Sequence, residues 1–378
     1  MIRTTLRNAE LSDLVALLRT QQDIKYDIVA SSDSLFYSPQ GDLLVDGGDV
    51  EITDDGVSTT TATLVPTKIF EDHVAQKLGI PRRYIQRMRD LNEGPLLAHN
   101  VNTWLHRADN ADKNWFVRGF YNNGEGVARA LLSDRYQVID HIDTLTAALD
   151  GIRKADTPTS IGKCNLTERS MYVEVEAPDV RAMAPLLLAD YRSPFTGKRG
   201  ADNPVVFAGF VLSNSETGGG AFAITPRIIV EACSNGMQYT VDAMRRVHLG
   251  TKMSEGEIAW SEETRYHYIE LIKHQVTDAV STFLSADYLI KKVAEIETKG
   301  DVRLLSPRRA VENVSKELRY TDEEADAIFD LFIAGGDTRA MGVMQAVTAY
   351  AQVVEDPDRA NELEGDAMRA LELAVRYS

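Results

Sequence analysis

Cysteine is almost missing from this chain: Cys164 and Cys233 are the two in 378 residues. That is too few for a disulfide framework, and neither belongs to a CxxC pair with metal-ligand or redox spacing. Both read as buried thiols. Long apolar runs are missing as well. No stretch approaches the roughly 18 to 20 uninterrupted apolar residues of a membrane span, and residues 1–14 carry charges where a signal peptide would be apolar. No membrane partner is expected, and the cytoplasm of a host cell is the expected location. The signatures of catalysis are equally scarce. There is no GxSxG elbow, no HExxH and no cysteine with a persuasive histidine partner. A binding or assembly protein is therefore expected rather than an enzyme, with no cofactor and no resident metal. Positive charge is in deficit too: 41 Lys and Arg against 57 Asp and Glu leave a formal net charge of −16. Such a balance argues against coating duplex DNA by net attraction, because phosphate binding depends on neutralising cations.

What is present is a globular composition, 44% hydrophobic and 26% charged, enough to bury a full core in two or three domains. Apolar spacing at Leu11, Leu14, Val15 and Leu18 predicts a helix over 8–22, followed by brief β-prone runs at 25–30, 35–37, 43–45 and 59–64. From Pro66 the pattern becomes helix, turn, helix: 68–78, a break at Gly79-Ile80-Pro81, then 82–89, with a third helix over 96–106. Residues 115–121 and 126–132 flank the turn string Asn122-Asn123-Gly124-Glu125 and read as a hairpin. Strict alternation over 170–176 marks a half-buried strand. The stretch 204–236 reads as a strand (205–212), a polar tip (213–220), a second strand (221–224) and then a helix with Pro226 in its first turn and Gly236 at its end. Strand signals stop after Gly250. One long helix is expected over 261–297, then shorter ones at 307–318, 322–333, 338–355 and 357–376. The fold class expected is α+β, a central antiparallel sheet with flanking helices followed by a helical C-terminal domain. The expected divisions are 1–66 (a helix and a small β meander), 67–252 (central α+β domain) and 253–378 (helical domain).

Acid concentrates toward the ends, at Asp42, Asp46, Asp49, Glu51, Asp54 and Asp55 and again at Asp322, Glu323, Glu324 and Asp326. Bases gather in the middle, with Arg82, Arg83, Arg87 and Arg89 on the second helix of the helix-turn-helix and Arg245 and Arg246 further on. Screening limits exposed charges to about 8 to 10 Å at physiological salt, so a local basic surface can hold an anion on an acidic protein. A solvated mixed surface explains the same pattern. The tip at 213–220 has three glycines with Ser and Thr, yet no Walker lysine follows and it joins two strands, so a hairpin turn is the plainer reading. Asp134, Asp140, Asp143 and Glu216 would form a metal site only if folding brought them together.

The run Phe207-Ala-Gly-Phe-Val-Leu-Ser-Asn-Ser-Glu-Thr-Gly, with Glu231-Ala-Cys-Ser-Asn-Gly-Met237, resembles a phage- and plasmid-associated family known as a domain of unknown function. Arg129-Ala-Leu-Leu-Ser-Asp-Arg-Tyr136 resembles its upstream motif, and Gly342-Val-Met-Gln-Ala-Val-Thr-Ala-Tyr350 is similar to its C-terminal helix. Together they span roughly residues 60 to 355. No catalytic residue comes with the resemblance, and Asn214, Ser215, Glu216, Asn235 and Gly236 are carried only as a motif without a role. The association it implies, joined to the central bases, points to a phage or plasmid accessory protein that binds or anneals single-stranded DNA in recombination or replication. A homo-oligomer would then be expected. In that reading Arg82, Arg83, Arg87, Arg118, Arg129, Arg135, Arg245 and Arg246 contact phosphates, and Trp115, Phe120 or Tyr121 stack on bases. The alternatives are a counter-defence or host-takeover factor that docks on a host or phage protein, and a metal-dependent enzyme whose site assembles from distant loops.

Overall fold

A computed structural model describes residues 2–53, 56–134, 136, 139–220, 222–231, 236–238, 242–246 and 262–378. In chain order the first part contains β1 (Leu6–Ala9), α1 (Leu11–Asp23), β2 (Lys25–Ser31), β3 (Leu35–Tyr37), β4 (Leu43–Thr53) and β5 (Gly56–Pro66). The helices α2 (Lys68–Leu78), α3 (Arg82–Asp90), α4 (Gly94–Leu105) and α5 (Ala108–Ala111) follow, then the hairpin β6 (Asn114–Asn122) and β7 (Glu125–Ser133). Its turn carries positive φ at Asn123 and Gly124, the pair of left-handed residues that a tight hairpin needs. Next come α6 (His141–Lys154), β8 (Ser160–Leu166), β9 (Met171–Met183), α7 (Pro185–Leu188), β10 (Val205–Asn214), β11 (Phe222–Val230), β12 (Gly236–Gln238) and β13 (Met244–Arg246). The chain finishes with α8 (Glu262–Phe283), α9 (Ala286–Gly300), α10 (Pro307–Glu317), α11 (Asp322–Gly335), α12 (Ala340–Val353) and α13 (Pro357–Arg376).

The fold is α+β with a helical C-terminal run, built on two sheets. The first has the order β1-β8-β9-β10-β11-β12, with β13 also on the outer edge of β11, and every pair is antiparallel. The second has the order β2-β6-β7-β5-β4-β3, antiparallel except where β5 meets β7. Because β5 ends at Pro66 and pairs with β7, the expected division at residue 66 falls inside a sheet. The division expected at 252 likewise separates parts of one core. Leu212 and Ile224 of the first sheet cluster with Ile272, Met344 and Leu371 of the C-terminal helices. A second core, with Phe70, Ile85, Leu97, Val117 and Leu131, lies between the second sheet and α2–α4.

Two expected elements differ. The helix expected after Ile224 is strand: β11 continues through Pro226 to Val230. Proline survives there because β13 covers residues 222–224 of its outer side and β12 covers 227–229. Pro226 falls between them, where a missing N–H breaks no ladder. The single long helix expected over 261–297 is two, α8 and α9. Ser285 caps the second by accepting the Tyr288 N–H at 3.2 Å, a helix start inside an otherwise continuous apolar period.

Candidate functional site

Arg118 and Arg129 lie on neighbouring strands of the second sheet. Arg118 pairs with Ala130 and Gly119 with Ala128, so Arg129 is the extra residue of a β-bulge. A bulge re-aims the side chain it displaces, and here it turns Arg129 to join Arg118. Gly119 permits the kink, since a Cβ there would collide with the Val127 carbonyl. Both arginines are almost fully buried, at 1% and 2% exposure. They cannot line a groove for phosphate, and that part of the sequence expectation is corrected. Burying a guanidinium demands paired carboxylates, and these come from elsewhere in the chain.

Glu216, just past β10, reaches across from the first sheet. It accepts Arg129 Nη1 at 2.8 Å and the His141 backbone N–H at 2.6 Å, with Arg118 Nη2 at 3.7 Å. Asp140, immediately before α6, accepts from Arg118 and from Lys25 Nζ at 2.8 Å, and Asp27 stands 3.6 Å from Arg118. Asn214 donates to the Ile139 carbonyl at 3.2 Å and to His141 Nδ1 at 3.0 Å. Ser215 donates to the Arg169 carbonyl at 2.7 Å and accepts the Gly219 N–H at 3.0 Å. The Asn-Ser-Glu motif is thus a plug that joins the two sheets through a charge-balanced buried seam.

Burial alone would raise the Glu216 carboxyl, but His141, Arg118 and Arg129 reverse it and hold it far below the usual range. Burial pushes the His141 imidazole down to about 4, with Glu216 opposing and Arg129 and Arg118 assisting. Asp140, which burial would raise, is lowered by Arg118. Asp27 is raised by burial, Arg118 notwithstanding. Of the four carboxylates considered for a metal, Asp140 and Glu216 do meet, but around guanidinium groups that already neutralise them. Among the described residues no group of three or more His, Cys, Asp or Glu is placed to hold a metal ion. The seam positions groups without presenting them to a substrate.

Two of the aromatic residues expected to stack on bases, Trp115 and Phe120, are also internal, and Tyr121 is partly buried. Trp115 is 5% exposed and donates to Ser32 Oγ at 2.8 Å. Phe120 lies under the Arg129 guanidinium at 4.5 Å, and Tyr121 donates to Asp49 at 2.9 Å.

The helix-turn-helix has a different environment. Gly79 closes α2 in the left-handed conformation (φ 67°), and α3 buries only Ile85 and Met88. Arg82, Arg83 and Arg87 are exposed. Arg82 pairs with Asp72, and Arg89 is held by Glu71 at 2.6 Å and by the Gly41 carbonyl at 2.6 Å. Arg83 and Arg87, one turn apart, make no ion pair among the described residues. Asn100 of α4 donates to Tyr84 of α3 at 2.9 Å. Trp104 follows one turn on along the same side of α4. It is 41% exposed, with the Arg107 guanidinium 4.6 Å over its ring. Sequence reasoning passed over Trp104. Its signal is positional, since Leu97, Val101 and Leu105 set the buried face of α4 and leave His99, Thr103 and Trp104 outside it.

Arg135 and Asn235 lie outside the described residues, as do the side chains of Arg245 and Arg246. The backbone of Arg245 and Arg246 pairs with Ala223 and Phe222, and Gly236 opens β12 opposite Ile229. No helix among the described residues is long and apolar enough to cross a membrane. Comparison with known protein families, with functionally described proteins and with solved structures returned no match.

Proposed function

We propose that the protein binds single-stranded nucleic acid on the outer surface of α3 and α4, as a cytoplasmic phage or plasmid accessory protein of DNA annealing or replication that assembles with copies of itself. One observation supports this above the rest: Arg83 and Arg87 stand at solvent without carboxylate partners among the described residues, on a helix tied to the one that carries exposed Trp104. Guanidinium groups contact phosphates and an exposed indole offers a stacking face, the two components of sequence-tolerant single-strand binding. The net charge of −16 does not forbid it, because charges beyond about 8 to 10 Å are screened at physiological salt.

The test is titration of a fluorescent oligonucleotide across a salt series, with light scattering on the same sample. Binding that weakens steeply with salt is expected. Replacing both Arg83 and Arg87 by Ala should lower the salt slope by about 1 per arginine, and Trp104→Ala should cost about 1 to 3 kcal/mol. No binding at low salt would overturn the proposal and direct attention to a protein partner.

A further inference from the structure

A helix packed on a sheet ordinarily buries apolar side chains between them. Where α13 crosses the first sheet the floor instead carries polar side chains. Tyr172 of β9 pairs with Ser213 of β10, and Thr225 of β11 stands opposite Val211, two residues before Ser213. The three side chains therefore share one face on adjacent strands. α13 covers this floor without filling it. A cleft of about 670 Å³ remains, open to solvent, between these residues and Arg359, Glu362 and Asp366 of α13. Gly219 and Gly220 of the β10–β11 tip close one end, and the exposed tip backbone there carries no side chain to obstruct a ligand.

The hydrogen-bonding capacity of the lining is unevenly used. The Tyr172 hydroxyl is committed to Asp358 at 2.8 Å. Ser213 and Thr225 line the cleft, yet neither hydroxyl makes a hydrogen bond among the described residues. Thr225 is largely buried as a residue but lines the open cleft, so its hydroxyl and that of Ser213 are left to whatever occupies the cleft. Charge narrows the ligand further. The Arg359 guanidinium is consumed by Glu324, at 2.7 and 2.9 Å, and by Glu362 at 2.9 Å. Asp366 accepts the Tyr320 hydroxyl at 3.2 Å. No free cation faces the cleft from its described lining, and carboxylates outnumber guanidinium groups, so an anion is disfavoured. Hydroxyl groups suit such walls, since each donates to a carboxylate and accepts from Ser or Thr.

We propose that this cleft binds an uncharged, polyhydroxylated small molecule between a nucleoside and a disaccharide in size. The site belongs to the first sheet and its helical cover, apart from the α3–α4 surface, so it stands or falls separately from nucleic-acid binding.

Calorimetric titration of the full chain with maltose, adenosine and adenosine 5′-monophosphate tests it. Maltose or adenosine is expected to bind, and which of them does so identifies a sugar or a nucleoside ligand. The monophosphate should bind about tenfold more weakly than adenosine where adenosine binds, because it brings charge toward Glu362 and Asp366. Thr225→Val and Ser213→Ala, which keep or reduce volume without disturbing the fold, should each weaken binding about tenfold. The proposal is overturned if neither neutral probe binds, if the monophosphate binds as tightly as adenosine, or if both variants bind like the wild type.

Discussion

At Glu216 one carboxylate accepts from an arginine of the opposite sheet and from the first N–H of α6, while a second arginine stands close by. Removing it leaves Arg129 buried and without its carboxylate. Glu216→Ala should therefore destabilise the protein by about 3 to 5 kcal/mol, read from urea unfolding. The neighbouring His141 gives the seam a pH dependence. Its folded imidazole is held at about 4 against an ordinary 6.5, so between those values the unfolded chain takes up a proton that the folded chain refuses. Stability contributed by His141 falls as pH drops from 6.5 to about 4. Glu216, lowered from 4.5, contributes stability that is full above that value and is lost as pH falls through its folded value. Asp27, raised by burial, works the other way. The urea midpoint should fall between pH 6.5 and 4.5, and less so in His141→Gln. Equal slopes in the two proteins would remove His141 as the source.

Among the elements, α12 is the one whose sequence leaves least freedom. Eleven of its residues, from Ala340 to Ala351, are buried, so α9, α11 and α13 surround it and small residues set how closely they approach. Gly342 is the tightest point: a Cβ there would collide with the Asp337 carbonyl and come within 3.0 Å of the Phe332 ring. Gly342→Ala should cost about 3 kcal/mol or more, since overpacking against backbone has no rotamer that relieves it. α11 tests a milder effect. Thr321 and Glu324 form a reciprocal capping box, and Thr321→Ala should cost about 1 kcal/mol in the same unfolding assay. A loss within error would mean that water satisfies the freed N–H equally well.

Across the whole molecule, two apolar cores meet at a polar seam. One unites the first sheet with the C-terminal helices, and the other unites the second sheet with α2–α4. Coupling between them passes through Glu216, Asn214, Asp140 and Lys25, groups whose interactions weaken together when one is removed. With Trp104 and Trp260 replaced by Phe, the protein should unfold in one transition by helical circular dichroism and by the fluorescence of Trp115, which then reports on the second core. When Glu216→Ala is added to that background the two signals should separate. Coincident curves in the variant would show that packing, rather than the seam, couples the cores.

Local pattern made much of the fold legible. The alternation of Tyr172, Glu174 and Glu176 with buried Met171, Val173 and Val175 is written in the chain, as are the Gly79–Pro81 corner and the helices from Pro307 onward. Pro226 misled because proline in a strand is tolerable only when neighbouring strands leave a gap, and a gap is a property of three strands together. The arginines show the same limit. Arg83, Arg87, Arg118 and Arg129 look alike in sequence, and their chemistry depends on whether a carboxylate from elsewhere in the chain reaches them. Glu216 lies 87 residues from Arg129, so spacing cannot reveal the pairing. Sequence by itself determined most of the elements, the charge balance and the α+β class, because those follow from neighbours along the chain. Tertiary structure alone decided which charges are buried, which aromatic ring is exposed and where a cleft remains, because burial arises from segments that meet only after folding.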